Sequence, residues 1–144
     1  YLPSELLAAV LCAQLEQTQK IQARRSEIWN RYNLELKNWT DKFGIRMPFI
    51  PAYCQHPAHM FYLVMPSLEI RTQFIKTMKE KGILCVFHYL PLNISDMGLN
   101  FGGKIGDCPV TEDISDRLVR LPLFYNMTDD EQNYIIDEIK GLKF

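Results

Sequence analysis

The sequence has no excess of charge of either sign. Its 144 residues include 16 Lys and Arg against 17 Asp and Glu, which gives a formal net charge of -1. A surface balanced in this way sets up no long-range field that would attract polyanions. We therefore expect no nucleic acid among the partners of this chain.

Long apolar runs are also missing. The longest, at 60–65 and 82–87, are less than half of the roughly 20 residues that a membrane-spanning helix requires. The chain opens at Tyr1, and residues 1–15 lack the basic start of a signal peptide. We expect no membrane segment and interpret the chain as a piece of a longer protein.

The four cysteines form no C-x-x-C pair: Cys12, Cys54, Cys85 and Cys108 are widely spaced. This usage is typical of a reduced, cytoplasmic protein rather than of a disulfide scaffold. Cys85 lies between Leu84 and Val86. Because an apolar setting raises the pKa of a thiol, we expect Cys85 to be inert.

Sequence signatures of catalysis are absent as well. The chain contains no P-loop, no G-x-G-x-x-G, no G-x-S-x-G and no nucleophile beside an evident base. We therefore predict that it holds no catalytic residue, no residue that binds a cofactor and no metal ligand.

The first forty residues indicate a long helix. No Gly or Pro occurs from Ser4 to Trp39, and apolar residues recur at steps of three, four or seven. Ser4 is a start signal and Gly44 a plausible stop. Because this span exceeds an ordinary globular helix, we predict either one rod or two helices that break near 17–19.

The remainder predicts a mixture of strands and helices. The expected elements, in order, are a strand over 59–65 buried on both faces, a helix capped by Ser67, a strand over 83–88, a loop over 91–109, a helix capped by Thr111 and reaching Val119, an extended piece over 121–124, and a helix from Thr128 to about Lys140.

These elements predict an α+β fold. We expect a small sheet, with short pieces near Phe49 and Leu121, that is covered by helices. The chain is treated as one domain, with a long helical segment at 1–43 and a body at 44–144. The direction of the strands stays open, since an intervening helix permits a parallel crossover or an antiparallel return.

Polar groups gather where the second predicted strand enters the long loop. His88, Tyr89 and Asn93 offer an imidazole, a phenol and an amide, which together can bind a polyhydroxylated ligand. The alternative is that His88 caps the strand through a backbone hydrogen bond and Tyr89 only packs its ring. The residues alone leave both interpretations open.

Histidines and cysteines also suggest a zinc site, in the clusters Cys54, His56 and His59, and Cys85 with His88. Structural zinc requires four soft ligands in tetrahedral geometry. Cys85 and His88 are three residues apart on a predicted strand, so their side chains point to opposite faces. Zinc is therefore a weak alternative, and His59, at a strand entry, is interpreted as a core residue.

An ordered series of short motifs resembles the C-terminal domain of the DegT/DnrJ/EryC1/StrS sugar aminotransferases. The motifs lie at 2–9, 12–16, 59–62, 87–92 and 117–124 and cover nearly the whole chain. The resemblance implies the small domain of a fold-type-I transferase that uses pyridoxal phosphate (PLP). It also implies that the Schiff-base lysine and most phosphate contacts belong to a large domain that this chain does not match.

The resemblance implies transamination of a dTDP-4-keto-6-deoxyhexose, with glutamate as amino donor, in the biosynthesis of cell-surface polysaccharide. It implies a homodimer to which the long helix contributes surface, and it places His88, Tyr89 and Asn93 near the sugar nucleotide. The isolated chain is then expected to bind no PLP and to be inactive.

Two positions depart from the pattern that this resemblance implies. Relatives usually carry a second histidine where this chain has Asn93, so only an amide is available there. Many relatives begin the first helix with Asn-Tyr-Arg-Met, and the opening Tyr1-Leu2-Pro3 lacks that arginine. A phosphate contact from this turn is therefore not expected.

A function of a different class also fits the residues. The long amphipathic helix and the missing catalytic motifs are typical of a free-standing interaction module that docks on a partner protein through residues 4–39.

Overall fold

The computed structural model describes residues 2–144, so the interpretation drawn from Tyr1 lies outside the described residues. The long helical segment consists of three consecutive helices: α1 (Glu5–Glu16), α2 (Thr18–Glu35) and α3 (Lys37–Phe43). The Ser4 hydroxyl accepts the Leu7 N–H at 3.3 Å and caps α1. None of the helices described here, within residues 2–144, is long and apolar enough to pass through a bilayer.

The predicted break near 17–19 is confirmed at Gln17. The Thr18 hydroxyl donates to the carbonyl of Leu15 at 2.7 Å, so it competes with the backbone for that acceptor. A second break, at Leu36, was not predicted, because this residue is fully buried and the apolar pattern runs through it. Gly44 ends α3 with a φ of 64°, which an L side chain adopts only under strain.

A three-stranded antiparallel sheet forms the centre of the body. Its strands are β1 (Phe61–Val64), β2 (Val86–Phe87) and β3 (Leu118–Leu121), in the spatial order β1-β3-β2. β3 runs antiparallel to both neighbours, which decides the direction that the sequence left open. The piece expected near Phe49 is reduced to a single bridge between Arg46 and Val64.

Both predicted apolar strands are shorter than expected. The Cys85 N–H donates to the carbonyl of Ile83 at 3.1 Å, which turns the chain and withdraws this donor from the sheet. β2 therefore begins only at Val86. In β1, three of the four side chains are buried, while Tyr62 is half-buried, so burial on both faces is nearly complete.

Four further helices cover the sheet and its connections: α4 (Leu68–Glu80), α5 (Asp96–Asn100), α6 (Pro109–Arg117) and α7 (Asp129–Lys140). The predicted caps of α4 and α7 are confirmed. Ser67 accepts the Ile70 N–H at 3.3 Å, and Thr128 forms a reciprocal capping box with Glu131.

Two predictions in this region are wrong. α6 begins at Pro109 rather than at a Thr111 cap, because proline is already set for the first helical position. It also ends before Val119, which belongs to β3. The segment 91–109 is not an irregular loop, since it contains a 3₁₀ turn (Leu92–Ile94) as well as α5.

The core lies between one face of the sheet and the helices α2, α3, α4 and α7. Its fully buried members include Tyr32, Leu36, Phe61, Leu63, Phe74, Met78, Val119 and Ile139. Burying each such side chain stabilises the fold by about 1.5–3 kcal/mol. Two polar side chains in this core have partners, because the Tyr32 hydroxyl donates to the Pro122 carbonyl at 2.9 Å and the Gln132 amide to the Ile28 carbonyl at 2.7 Å. The architecture is the predicted α+β small domain.

Candidate functional site

The face of the sheet that points away from the core carries the polar residues. Side chains alternate along a strand, so when Phe61 and Val119 face the core, their neighbours Tyr62 and Arg120 face the other side. The register places Tyr62 and Val86 on either side of Arg120 in the central strand. His88 follows β2, two residues beyond Val86.

Four residues around this face form what we call the His88 cluster: His59, His88, Tyr89 and Arg120. The rings of His88 and Tyr89 meet edge to face with their centroids 5.0 Å apart. The guanidinium carbon of Arg120 lies 5.7 Å from the centroid of the Tyr89 ring, which is a cation–π distance. The structure thus brings together two of the three predicted ligand-binding residues.

The electrostatics of the cluster favour a neutral imidazole. Partial burial lowers the pKa of His88, and the positive charges of Arg120 and His59 lower this pKa further. Nδ1 of His88 is shielded from solvent and has no hydrogen-bond partner within residues 2–144. The interpretation of His88 as a strand cap is therefore wrong, because its ring makes no bond to the described backbone.

Asn93 lies apart from the cluster and is tied to the segment that follows it. Its side-chain nitrogen donates to the Lys104 carbonyl at 3.0 Å and to Oε1 of Glu112 at 2.7 Å. Glu112 also accepts the backbone N–H groups of Gly106, at 2.9 and 3.0 Å, and Cys108, at 3.2 Å. These donors lower the pKa of Glu112, and the backbone N–H of Gly106 has the largest effect. Only the side-chain oxygen of Asn93 has no partner among these bonds.

Two glycines show how closely the segment 91–108 folds on itself. A Cβ added to Gly98 would lie 1.9 Å from the carbonyl oxygen of Leu92, and one added to Gly103 would lie 2.4 Å from that of Asn93. No real Cβ approaches backbone so closely, so both positions require glycine. The segment is a defined structure that fixes the position of the chain after Tyr89.

A cavity of about 400 Å³ lies beside His88 and Tyr89. Most of its other lining residues are apolar, namely Leu90, Pro91, Leu92, Val110, Ile114 and Leu118. This volume falls within the usual range of small-molecule sites, and a few polar groups at an apolar wall are typical of such sites.

The residues weighed as zinc ligands are not brought together. The His56 ring packs against Trp29 at a tilt of 57°, with ring centroids 4.4 Å apart, and its Nδ1 accepts the Ala58 N–H at 3.3 Å. Cys85 is buried in the core, whereas His59 is exposed, so the interpretation of His59 as a core residue is wrong. Across the described chain, 2–144, no three His, Cys, Asp or Glu side chains form a group suited to a metal.

Arg120 is the site residue that the sequence reasoning missed. The signal in the sequence is one charged residue, Arg120, between the apolar residues Val119 and Leu121. In a strand, this pattern places the charge on the face opposite to the buried residues. Only the pairing of β3 with both other strands brings Arg120 to His88.

The match with known proteins covers both parts of the chain, the helical segment and the body. Residues 3–140 match the family model described as the DegT/DnrJ/EryC1/StrS aminotransferase family. The chain belongs to this family. The predicted resemblance is therefore confirmed at the level of the family.

Two relatives illustrate the range of this family. The chain is 31% identical over 147 residues to an uncharacterized protein of Methanocaldococcus jannaschii, MJ1066, with 99% of this chain and 36% of the relative covered. It is 30% identical over 139 residues to the dTDP-4-dehydro-2,3,6-trideoxy-D-glucose 4-aminotransferase of Saccharopolyspora spinosa, with 95% and 34% covered. The chain thus spans about a third of the length of these relatives.

A solved structure has the same fold. The PLP form of Spr1654 from Streptococcus pneumoniae superposes with a TM-score of 0.80 over 90% of this chain and 33% of that protein, at 24% sequence identity. At this level of identity the likeness establishes the architecture alone.

Proposed function

We propose that this chain is the small domain of a PLP-dependent nucleotide-sugar aminotransferase and that it forms one wall of the substrate site. The observation that carries the proposal is the His88 cluster, which sits beside an apolar cavity in a chain of this family. The proposed domain covers residues 1–144, with the helical segment 1–43 and the body 44–144.

His88, Tyr89 and Asn93 are the proposed substrate-binding residues. A neutral imidazole offers one donor and one acceptor, and the phenol of Tyr89, which is 73% exposed, offers both. Asn93 contributes only its side-chain oxygen, because its nitrogen is already bonded to Lys104 and Glu112. Together these groups suit the hydroxyls of a sugar, while the apolar wall suits a ring.

The proposed substrate is a dTDP-4-keto-6-deoxyhexose, with glutamate as amino donor. The Saccharopolyspora spinosa relative, named as a 4-aminotransferase of a dTDP-hexose, supports this class. Within the class, we propose the reaction of dTDP-4-amino-4,6-dideoxygalactose transaminase, which serves enterobacterial common antigen and related lipopolysaccharide. A cytoplasmic location is part of the same proposal.

The residues present do not fit a PLP site by themselves. A Schiff-base lysine needs a desolvated setting or a neighbouring positive charge that lowers its pKa. Every lysine within residues 2–144 is exposed, and two of them, Lys81 and Lys140, are ion-paired with Glu138 and Glu35. PLP, which withdraws electrons from the carbon that exchanges its amino group, is therefore proposed to bind to the rest of the full-length protein. The isolated chain is expected to be inactive.

The exposed helix α1 supports a larger assembly. None of its residues is buried, and its apolar side chains are 58–81% exposed: Leu6, Leu7, Val10, Leu11 and Leu15. Exposed apolar patches of this kind mark protein interfaces. We propose that α1 contributes to a homodimer of the full-length enzyme.

The same helix is the specific observation that favours the second candidate, a non-catalytic module that binds a partner through α1. Light scattering on the 144-residue chain separates the two candidates. Self-association of the chain favours the homodimer of the enzyme, whereas a monomer that keeps α1 accessible is what a module for a different partner requires, and a monomer with no accessible apolar face counts against the module.

The decisive experiment uses the full-length protein that contains this chain. We expect it to bind PLP and to convert a dTDP-4-keto-6-deoxyhexose with glutamate, and we expect Tyr89→Phe to raise KM for the sugar nucleotide several-fold. The matched control is Tyr53→Phe, since Tyr53 is also exposed but lies outside the cluster. A full-length protein without PLP absorbance and without turnover would remove the proposal.

A further inference from the structure

Within residues 2–144, the guanidinium of Arg120 has no carboxylate partner. Two other arginines do have one: Arg24 pairs with Asp129 at 2.8 Å, and Arg117, whose Nε is also shielded and unbonded, pairs with Asp113. Within residues 2–144 no carboxylate lies within ion-pair distance of Arg120, and its Nε is shielded from solvent without a hydrogen-bond partner. Leaving such a buried donor unpaired is costly.

A second unpartnered polar atom belongs to the same cluster. Nδ1 of His88 is also shielded and unbonded within the described chain, and the Tyr89 ring packs against both His88 and Arg120. His59 lies near enough to contribute to the lowered pKa of His88. No acidic side chain is ion-paired with His59, His88 or Arg120 in residues 2–144.

We propose that Arg120 and His88 bind an oxyanion, either a carboxylate or a phosphate. The planar guanidinium presents two parallel N–H groups that match two oxygens of such an anion. Stacking on Tyr89 holds the plane of the guanidinium, while a neutral imidazole donates one further N–H. Because Nε of Arg120 and Nδ1 of His88 are shielded, the anion is proposed to bind through the outer N–H groups of the guanidinium and the other ring nitrogen of His88.

The source of the anion rests on the proposed function. A sugar nucleotide brings a diphosphate, and the amino donor brings carboxylates. Both share the oxyanion chemistry that Arg120 recognises, so the two sources are separated by the probe. Inorganic pyrophosphate represents the first, and glutarate, a dicarboxylate without an amino group, represents the second.

The test titrates the 144-residue chain with each probe at constant ionic strength, with chloride as the reference. NMR follows the Nε–H signal of Arg120 and the ring signals of His88. We expect these signals to shift and saturate with one probe, and Arg120→Gln to weaken that binding by roughly tenfold or more. Arg120→Lys keeps the charge but loses the paired donors. Its affinity for the probe is expected to lie between that of the unaltered chain and that of Arg120→Gln.

Arg71→Gln is the matched control, because Arg71 also lies over an aromatic ring, that of Phe87, at 5.8 Å, but its Nε donates to the Asp116 carbonyl. This variant should bind the probe as the unaltered chain does. A preference for pyrophosphate assigns the site to the diphosphate, and a preference for glutarate assigns it to the amino donor.

Two results would overturn the proposal: no saturable shift with either probe, or equal binding by the unaltered chain and by folded Arg120→Gln and Arg120→Lys. Because this test needs neither PLP nor turnover, its failure is distinct from failure of the proposed function. An inactive full-length protein would remove the aminotransferase proposal, but it would not change the result of the anion-binding test on the 144-residue chain.

Discussion

The side-chain amide of Asn93 donates to the carboxylate of Glu112 at 2.7 Å across 19 residues of sequence. This bond joins the 3₁₀ turn to α6. The Glu112 carboxylate also accepts hydrogen bonds from the backbone N–H groups of Gly106 and Cys108. The pair therefore fixes the connection that follows His88 and Tyr89. Its consequences for stability can be measured without knowledge of any ligand.

Replacing Asn93 with alanine should loosen this connection. The change removes hydrogen bonds to Lys104 and Glu112, and we expect a loss of about 1–2 kcal/mol in the free energy of unfolding. Urea denaturation measures this loss. Asn100→Ala, at an exposed asparagine at the end of α5, is the matched control and should change stability by less than about 0.5 kcal/mol. Equal stability of the two variants would contradict the structural role of Asn93.

The Glu112 carboxylate should make the same connection sensitive to acid. Its donors lower the pKa from the usual 4.5, so the unfolded chain binds a proton at a higher pH than the folded chain does. The stabilisation is present above the unfolded pKa and is lost as pH falls through the lowered value.

NMR signals of the Gly106 and Cys108 amides should therefore titrate below pH 4.5, and Glu112→Gln should abolish this titration. Glu80→Gln, at an exposed position on α4, should leave it unchanged. A titration of these amides at or above the ordinary value would show that the hydrogen bonds to Glu112 do not form.

Gly98 should not tolerate a methyl group. Gly98→Ala places a Cβ 1.9 Å from the backbone oxygen of Leu92, where nothing flexible can move aside, and we expect a loss of about 2 kcal/mol or more. The control is Gly141→Ala, whose Cβ would lie 3.5 Å from the nearest atoms. This variant should stay within about 1 kcal/mol of the original chain. Thermal unfolding of the two proteins decides the comparison.

Cys85 should react with thiol reagents more slowly than the other three cysteines. Burial raises its pKa from 9.0 to about 12, which leaves roughly a thousandfold less thiolate at neutral pH than an ordinary thiol has. The other three cysteines, Cys12, Cys54 and Cys108, are exposed. We expect a thiol reagent to label three sites rapidly and the fourth only after denaturant is added. Rapid labelling of four sites would contradict the burial of Cys85.

Features set by neighbouring residues could be predicted from the sequence. Ser67 and Thr128 predict the starts of α4 and α7, because a capping residue bonds to the backbone of the next helical turn. The break at Gln17 lies where polar residues interrupt the apolar pattern. The apolar sequence around Cys85 predicts a raised thiol pKa, and the burial of Cys85 in the core is what raises it. The α+β class follows from the order of these elements.

Features set by distant residues could not be predicted in this way. The cation at Arg120 meets His88 only because β3 pairs with two strands that precede it by more than thirty residues. The bond from Asn93 to Glu112 leaves no periodic trace in the sequence, so its segment resembled an irregular loop. The candidate site was therefore predicted as three side chains and found as a different group of four.

The position of β3 has a consequence for how the chain acquires its structure during synthesis. β1 and β2 are not hydrogen-bonded neighbours, so the sheet cannot form until residues 118–121, which make up β3, have been synthesised. A nascent chain that stops before Leu118 can form helices but no sheet. Commitment to the native state must therefore follow the synthesis of β3, and removal of residues 118–121 should be far more damaging than loss of the exposed first helix.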